Sequence, residues 1–373
     1  TRVQRKEDPK FLTTGGVYVD DLREELLEGA LHVVYARSAV AHGTILSIDI
    51  DGAKDMPGVV GVFTAESLGL EPVPSTYNPI VARTLLASDK VRYVGEPVVA
   101  VVAETAAQAT DAAEMIFVDV DFLPTLIDIE AAAASETLIF EAAGSNVVFD
   151  TAAIGMPENT ASEEYFADCE VVVTGRFLNQ RVAPCPLEVR GSAATWVDGR
   201  LYQWLSTQHA QGTKASISAA NGIEGDQVRV ITPDVGGAFG AKIGTYGEEL
   251  MLGPISKALG RPVRWRETRS ESMMGLGHGR AQLQFVTIGG TREGKVTHYQ
   301  LHLLQDAGAF ADIGGVLAFA MTRPMASAVY DIPNVECRAL TVVTNTTPTV
   351  PYRGAGRPEA TAAAERAMDL FAL

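Results

Sequence analysis

Runs of apolar and β-branched residues predict many short strands separated by turns. The continuous apolar run Val98–Ala103 predicts a strand that is buried on both faces, because neither face carries a polar residue. Apolar and polar residues alternate in Phe117–Phe122, which predicts a half-buried strand. Between them, Thr105 and Gln108 have capping-box spacing, and the alanine-rich stretch up to Ile116 predicts a helix. The first third of the chain is therefore predicted to be a compact α/β unit.

A change of composition separates this unit from the rest of the chain. Residues 136–165 are rich in small and acidic residues and contain Pro157, which predicts a linker between domains at 1–135 and 166–373. In the second domain, the turn residues Asp198-Gly199 between two apolar runs predict a β-hairpin.

Helix and turn signals continue through the second domain. Ser206-Thr207-Gln208 is predicted to begin a helix that ends at Asn221-Gly222. Pro254 lies inside the helical pattern 248–259, so that helix should kink or begin late. Gly289-Gly290 and Glu293-Gly294 are both predicted to be hairpin-like turns, and residues 305–312 a loop. Mixed strands and helices of this kind predict an α+β fold.

A glycine-rich turn between a strand and a helix is the strongest candidate for chemistry. The strand 228–232 is followed by Gly236, Gly237 and Gly240, which surround Phe239. Such a turn lets backbone N–H groups approach an anionic or polar cofactor. The spacing matches neither GxGxxG nor GxxxxGK[ST], which excludes the dinucleotide fingerprint and the P-loop. A turn that only reverses the chain remains the alternative.

A second glycine loop lies near the end of the sequence. Gly354 and Gly356 follow a predicted strand at 339–344, and Pro358 begins the next helix, where its missing N–H costs nothing. That helix ends on apolar residues without a glycine cap, so we expect the chain to be part of a longer protein.

Composition narrows the possible functions. Lys and Arg number 30 against 46 Asp and Glu, a net charge of −16 with a pI near 4.8, which argues against nucleic acid and anionic membrane surfaces as partners. No apolar run is long enough to span a membrane, and we expect a cytoplasmic protein. The three scattered cysteines form neither a disulfide framework nor a zinc or iron–sulfur ligand set. His298 and His302 lie on a predicted strand and are expected to be ordinary polar-face residues.

In their order along the chain, these motifs resemble the molybdenum hydroxylase family, specifically the large molybdopterin-binding subunit of xanthine dehydrogenase and aldehyde oxidase. Three stretches resemble its α/β-hammerhead domain: Gly15–Leu22, Pro57–Phe63 and Lys90–Glu104. Four resemble its first molybdopterin-binding domain: Pro186–Gly191, Ser206–Gln208, Gly236–Gly240 and Tyr352–Glu359. The resemblance covers essentially all 373 residues and implies that the second molybdopterin domain is absent from this chain.

The resemblance implies roles for Gln208 and for the two glycine loops. Gln208 approaches an oxo group on molybdenum without binding the metal, and an amide suits this role because it donates without adding charge. The glycine-rich turn contacts the metal and the pterin through Gly237, Phe239 and Gly240. The second loop contacts the pterin through Arg353, Gly354, Ala355 and Gly356. The family's catalytic Glu belongs to the second molybdopterin domain, so no catalytic base is assigned in this chain.

The implied activity is hydroxylation of an aldehyde or an N-heterocycle at an electron-poor C–H carbon, with water as the oxygen source. The implied cofactor is molybdenum-molybdopterin, in the cytosine dinucleotide form if the protein is bacterial. The implied partners are [2Fe–2S] and FAD subunits, because three cysteines cannot bind two clusters. Ile243 replaces the Glu of purine-oxidising enzymes, and residues 353–356 lack the cysteine of copper-containing carbon monoxide dehydrogenases. The alternatives are a non-catalytic cofactor-binding or assembly module, or a carbon monoxide dehydrogenase-like protein.

Each candidate residue also has a purely structural interpretation. Gln208 could cap its helix, and Phe239 could fill the core. Arg353 and Arg357 could pair with Glu359 or other acids. Glu188 could be a carboxylate at a strand end with no further role.

Overall fold

The computed structural model describes residues 3–75 and 77–373, and it confirms the predicted α+β class. The strands are β1 (Leu31–Arg37), β2 (Gly43–Asp49), β3 (Val59–Phe63), β4 (Lys90–Val91), β5 (Pro97–Ala103), β6 (Phe117–Phe122), β7 (Val147–Asp150), β8 (Val171–Asn179), β9 (Gly191–Val197), β10 (Arg200–Leu205), β11 (Val228–Ile231), β12 (Val263–Arg266), β13 (Gln282–Gly290), β14 (Val296–Gly308) and β15 (Asn334–Val343). The α-helices are α1 (Asp8–Thr13), α2 (Asp51–Lys54), α3 (Ala65–Leu68), α4 (Ala106–Ala113), α5 (Ile129–Ala134), α6 (Ser162–Tyr165), α7 (Ala210–Asn221), α8 (Gly247–Leu250), α9 (Leu252–Leu259), α10 (Arg269–Gly275) and α11 (Arg357–Ala372). No helix within these residues is long and apolar enough to cross a membrane.

The largest sheet has seven strands in the order β11-β10-β9-β12-β1-β5-β3. Strand β5 is completely buried, as its continuous apolar run predicts. The β9–β10 hairpin turns at Asp198 and Gly199, whose φ angles of 49° and 77° are those of the turn that matches strand twist. Apolar residues of this sheet pack against α9 and α7 and form the principal core, which includes Leu31, Val102 and Ile255.

The second sheet has five strands in the order β7-β15-β14-β13-β8, with β14 and β15 parallel. Helix α11 packs across β8 and β13 and buries Ala363 and Ala367 against Val286 and Tyr299. The small alanine side chains let the helix approach the sheet closely. Since Gly356 and Arg357 begin α11, this packing also places the second glycine loop.

A three-stranded sheet, β4-β2-β6, covers the other face of β5. Helix α4 joins this core through Ala112, and Thr105 caps the helix by accepting a hydrogen bond from the N–H of Gln108 at 3.3 Å. Of the three stretches that resemble a hammerhead domain, Pro57–Phe63 and Lys90–Glu104 contribute strands to this part of the fold. Gly15–Leu22 lies outside these strands.

The large sheet crosses the predicted domain division. Strand β1 pairs in parallel with β12, with Leu31 opposite Val263, so strands from residues 1–135 and 166–373 share one hydrogen-bonded sheet. The predicted linker, residues 136–165, contains β7, which pairs with β15. The short apolar run Val147–Phe149 contributes Val148 to a buried core that also contains Ile139, so this segment forms a strand rather than a loop.

Several local predictions are corrected by the structure. Helix α7 begins at Ala210 rather than at Ser206, because hydrogen bonds to Lys242 hold the preceding residues outside the helix. Gly289-Gly290 ends β13 instead of forming a turn, whereas the turn predicted at Glu293-Gly294 is confirmed, since the N–H of Gly294 donates to the oxygen of Thr291. Strand β14 continues to Gly308 into the region predicted to be a loop. The kink or late start expected from Pro254 takes the form of a break at Met251, which separates α8 from α9, and α9 begins at Leu252.

Candidate functional site

The structure brings the Gln208 turn into direct contact with the glycine-rich turn. The backbone N–H of Gly240 donates to Oε1 of Gln208 at 2.8 Å. An N–H group can bond only to the oxygen of the amide, so this contact orients the side chain and leaves Nε2 as the outward donor. Gln208 is exposed and makes no cap for α7, because the N-cap position is held by His209, which has no side-chain cap hydrogen bond. The capping interpretation of Gln208 is therefore wrong.

The second glycine loop contacts the same turn. The backbone N–H of Arg353 donates to the carbonyl oxygen of Phe239 at 2.8 Å. The next residues form a compact turn, in which the N–H of Ala355 donates to the oxygen of Tyr352 at 2.8 Å. Two neighbouring segments, around Gln208 and Phe239, and a third more than 100 residues further along the chain, around Arg353, thus form one site.

Phe239 lies at the surface of this site rather than in the core. Its side chain is 42% exposed, and its φ of 54° is unusual for a residue with a Cβ atom. Gly237 beside it has a φ of 99°. An exposed aromatic ring held in a strained backbone conformation is typical of a functional site.

Two glycines are required by close backbone approach. A Cβ atom on Gly240, whose φ is 102°, would lie 2.4 Å from the carbonyl oxygen of Pro351. A Cβ atom on Gly356, whose φ is 88°, would lie 2.2 Å from Cβ of Met321. Gly240 therefore sets how closely the two glycine loops approach each other.

Arg280 holds the second glycine loop in place, and this role of Arg280 was not predicted from the sequence. Its guanidinium donates to the carbonyl oxygens of Tyr352 and Arg353, each at 2.8 Å, and to Oε1 of Glu359 at 3.2 Å. Glu359 in turn accepts from the N–H of Gly356 at 2.7 Å. Pairing of Glu359 with Arg353 or Arg357 is thus ruled out, because Arg280 takes that carboxylate. No motif marks Arg280, which lies 72 residues away from Tyr352.

A buried charged cluster lies behind the two turns around Gln208 and Gly236. It consists of Glu188, Ser206 and Lys242, and the Lys242 side chain is only 1% exposed. Burial lowers the pKa of Lys242, and the nearby carboxylate of Glu188 opposes that change. Glu188 therefore does more than end a strand.

A larger network of buried ion pairs is centred on Arg190. Arg190 is fully buried and donates to Glu267 at 2.7 Å and to Glu248 at 3.2 Å, and Arg37 donates to Glu248 at 2.9 Å. Burial alone would raise the pKa of Glu248, but Arg190 and Arg37 outweigh it and lower that pKa to about 2.

The residues present fit an anionic, pterin-type cofactor. Within residues 3–75 and 77–373, the backbone N–H groups of Gly237, Ala238 and Phe239 have no protein acceptor, and Nε2 of Gln208 is a further donor. Neither Arg353 nor Arg357 forms an ion pair with a described residue, and both are exposed. Unused donors and unpaired cations on these connected segments suit a polar, negatively charged group.

Comparison with protein families matches both parts of the chain. The model described as "Molybdopterin cofactor-binding domain" matches residues 139–373. The model described as "Aldehyde oxidase and xanthine dehydrogenase, a/b hammerhead domain" matches residues 13–124.

Characterised relatives match over the whole chain. The large subunit of nicotine 6-hydroxylase from Paenarthrobacter nicotinovorans is 36% identical over 383 residues, which cover 99% of this chain and 46% of that subunit. The large chain of carbon monoxide dehydrogenase from Hydrogenophaga pseudoflava is 33% identical over 392 residues, covering 100% of this chain and 48% of that one. The chain thus spans about half the length of the curated relatives it matches.

Solved structures agree. Quinoline 2-oxidoreductase from Pseudomonas putida 86 superimposes with a TM-score of 0.91 at 32% identity, over 100% of this chain and 48% of that one. The hammerhead unit and the molybdopterin-binding unit predicted from the sequence are both confirmed. This chain belongs to the molybdopterin cofactor-binding family of the xanthine dehydrogenase and aldehyde oxidase large subunits.

Proposed function

We propose that this chain forms one side of the cofactor site of a molybdenum-dependent hydroxylase. The observation that carries the proposal is the convergence of Gln208, Phe239 and Arg353 through two hydrogen bonds of 2.8 Å. Nε2 of Gln208 would donate to an acceptor on the cofactor, and the Phe239 turn and residues 353–356 would hold the pterin. When bound, a molybdenum-pterin group supplies the Lewis acid and the two-electron acceptor that hydroxylation with water requires.

We propose an N-heterocycle or an aldehyde as the substrate class. Ile243 follows the glycine-rich turn, and its N–H donates to the oxygen of Gly240 at 3.2 Å, so an apolar residue stands beside the site. An apolar side chain cannot accept a hydrogen bond from a purine, which favours substrates with fewer polar groups. The absence of cysteine from Arg353-Gly-Ala-Gly356 favours this proposal over copper-dependent carbon monoxide chemistry.

The rest of the catalytic machinery is proposed to lie outside this chain. The relatives are about twice as long, so a second molybdopterin domain, in the same polypeptide or in another chain, would supply the base. The cysteines are all free, and we propose that [2Fe–2S] and FAD subunits carry electrons away. We also propose a cytosine dinucleotide form of the cofactor and a cytoplasmic location. Mass spectrometry of the extracted nucleotide and cell fractionation test these two points.

The experiment that tests the function uses the full protein purified with its partners. Molybdenum and pterin should be present at about one per large subunit. Incubation with quinoline- or pyridine-type compounds and an artificial electron acceptor in ¹⁸O-labelled water should give a product that carries ¹⁸O. A preparation that contains the partners but no molybdenum, or product oxygen derived from O₂, would refute the proposal.

A further inference from the structure

We propose that Lys242 is a positioning residue that holds the Gln208 turn and the Gly236–Gly240 turn at a fixed separation. The inference rests on the proposed cofactor site, because only there does this separation matter. Lys242 itself lies behind the site, with its side chain 1% exposed.

The ammonium group of Lys242 uses all three of its donors. Its Nζ lies 2.9 Å from Oγ of Ser206, 2.9 Å from the carbonyl oxygen of Glu188 and 3.1 Å from Oε2 of Glu188. A buried ammonium with three acceptors is fixed in position, since any movement would leave a donor unpaired away from water.

Glu188 transmits this contact to the glycine-rich turn. Its Oε2 also accepts from Oγ of Ser206 at 2.6 Å and from the backbone N–H of Gly236 at 2.7 Å. The N–H of Glu188 donates to the oxygen of Gly236 at 3.1 Å, so the two residues are joined in both directions. A Cβ atom on Gly236 would lie 2.5 Å from Cβ of Glu188, so only glycine allows this approach.

The backbone of Lys242 holds the other turn. Its carbonyl oxygen accepts from the N–H of Gln208 and from Oγ1 of Thr207, each at 3.1 Å. One residue therefore contacts the Gln208 turn through its main chain and reaches Gly236 through its side chain and Glu188. The hydrogen bond between Gly240 and Gln208 spans the gap between the two turns from the exposed side.

A general stabilising role does not account for this arrangement. A buried ion pair often contributes little net stability compared with apolar residues of similar size. Hydrogen bonds to charged groups are, however, short and directional, so they fix geometry. The cluster Glu188–Ser206–Lys242 joins the two turns that carry the proposed cofactor contacts, as a positioning device should.

The test is hydrogen–deuterium exchange on the full protein with its partners. Lys242→Met keeps the length of the side chain and removes the charge and its donors. Exchange should become about tenfold faster in peptides covering 205–210 and 234–241, because the amides of Gln208, Gly236 and Gly240 lose fixed acceptors. Peptides from β13 to β15 should be unchanged. The control Lys90→Met removes a partly buried lysine that pairs with the exposed Glu141, and it should leave both turns unaffected.

Two further variants test the positioning role of Lys242. Lys242→Met combined with Glu188→Gln should recover part of the lost protection, because a neutral amide still accepts from Gly236 and leaves no unpaired buried charge. If Lys242→Met fails to fold, Ser206→Ala should still speed exchange of 205–210 about threefold, since it removes one acceptor of Lys242. Unchanged exchange in both turns, or equally faster exchange in β13–β15, would overturn the positioning role.

Molybdenum content, measured on the same samples, separates this inference from the proposed function. If the wild-type protein contains no molybdenum and Lys242→Met still exchanges faster in both turns, the positioning role is supported and the proposed cofactor is rejected. Molybdenum at full content with unchanged exchange would do the reverse.

Discussion

At the scale of single residues, Gly240 is where the two glycine loops come closest. Its N–H binds Gln208, its φ is 102°, and the oxygen of Pro351 occupies the place of a side chain. Both the backbone conformation and the available space therefore require glycine.

Gly240→Ala should separate the loops and remove most of the molybdenum and pterin from the purified protein. The expected loss of unfolding free energy is about 2 kcal/mol, because a Cβ atom must displace the backbone of Pro351. Gly244→Ala is the matched control, since nothing lies within 4 Å of the added atom. Equal cofactor content in the two variants would contradict this account of the loop contact.

Glu96 gives a prediction for pH dependence. Burial raises the pKa of Glu96 to about 7, so the folded protein holds a proton that the unfolded chain releases near 4.5. The unfolding free energy attributable to this group therefore falls as pH rises from about 4.5 to 7.

Glu96→Gln removes this titration, because an amide stays neutral and still accepts from the N–H of Arg92. The variant should match the wild type at pH 4.5 and be more stable at pH 8 by about 3 kcal/mol. Denaturant unfolding at the two pH values measures the difference. Glu66→Gln, on an exposed part of α3, should show none, and a destabilised Glu96→Gln at pH 8 would show that the charge is favourable.

At the scale of elements, the second glycine loop is held in place by Arg280, which lies next to a different strand. Arg280 precedes β13 and uses its planar guanidinium to hold two consecutive carbonyl oxygens of the loop. A lysine keeps the charge but cannot make this forked contact.

Arg280→Lys should therefore lower molybdenum content severalfold while the protein remains folded. Arg338→Lys is the control, because Arg338 makes a similar fork to Asp150, between β15 and β7. Metal analysis and thermal unfolding of both variants provide the comparison. Loss of molybdenum from both variants alike would mean that Arg280 acts through general stability alone.

Local elements could be predicted from the sequence wherever one pattern dominates. The continuous apolar run correctly predicts β5, and Asp198-Gly199 correctly predicts the β9–β10 hairpin. The start of α7 could not be predicted, because side chains that usually cap helices are bound instead to Lys242, 35 residues away from Thr207. Within the site, the glycine loops and Gln208 carry recognisable motifs, whereas Arg280 and Lys242 act through distant contacts that no local pattern encodes.

At the scale of the whole molecule, one sheet unites the two predicted domains. The pairing of β1 with β12 joins residues more than 200 positions apart, which periodicity cannot reveal. Ion pairs cross the same junction. Arg37 on β1 reaches Glu248 and Glu271 with its side chain 7% exposed, while Arg261 reaches Glu104 with its side chain 39% exposed.

These two junction pairs should differ in their contribution to stability. Arg37→Met removes a buried cation from Glu248 and Glu271, which leaves Glu248 with Arg190 as its remaining ion-pair partner, and should cost about 3 kcal/mol of unfolding free energy. Arg261→Met removes a solvent-exposed pair and should cost less than about 1 kcal/mol. Urea unfolding measures both values, and equal costs would show that burial does not set the strength of the junction.

The most direct test of the central claim is the position of molybdenum in a crystal of the full protein. Anomalous scattering at the molybdenum absorption edge locates the metal without prior phases from a cofactor model. We predict one peak per large subunit, in front of the Gln208 amide and bounded by residues 236–240 and 353–356. A molybdenum peak away from these three segments, or none in a protein shown to be active, would contradict the account.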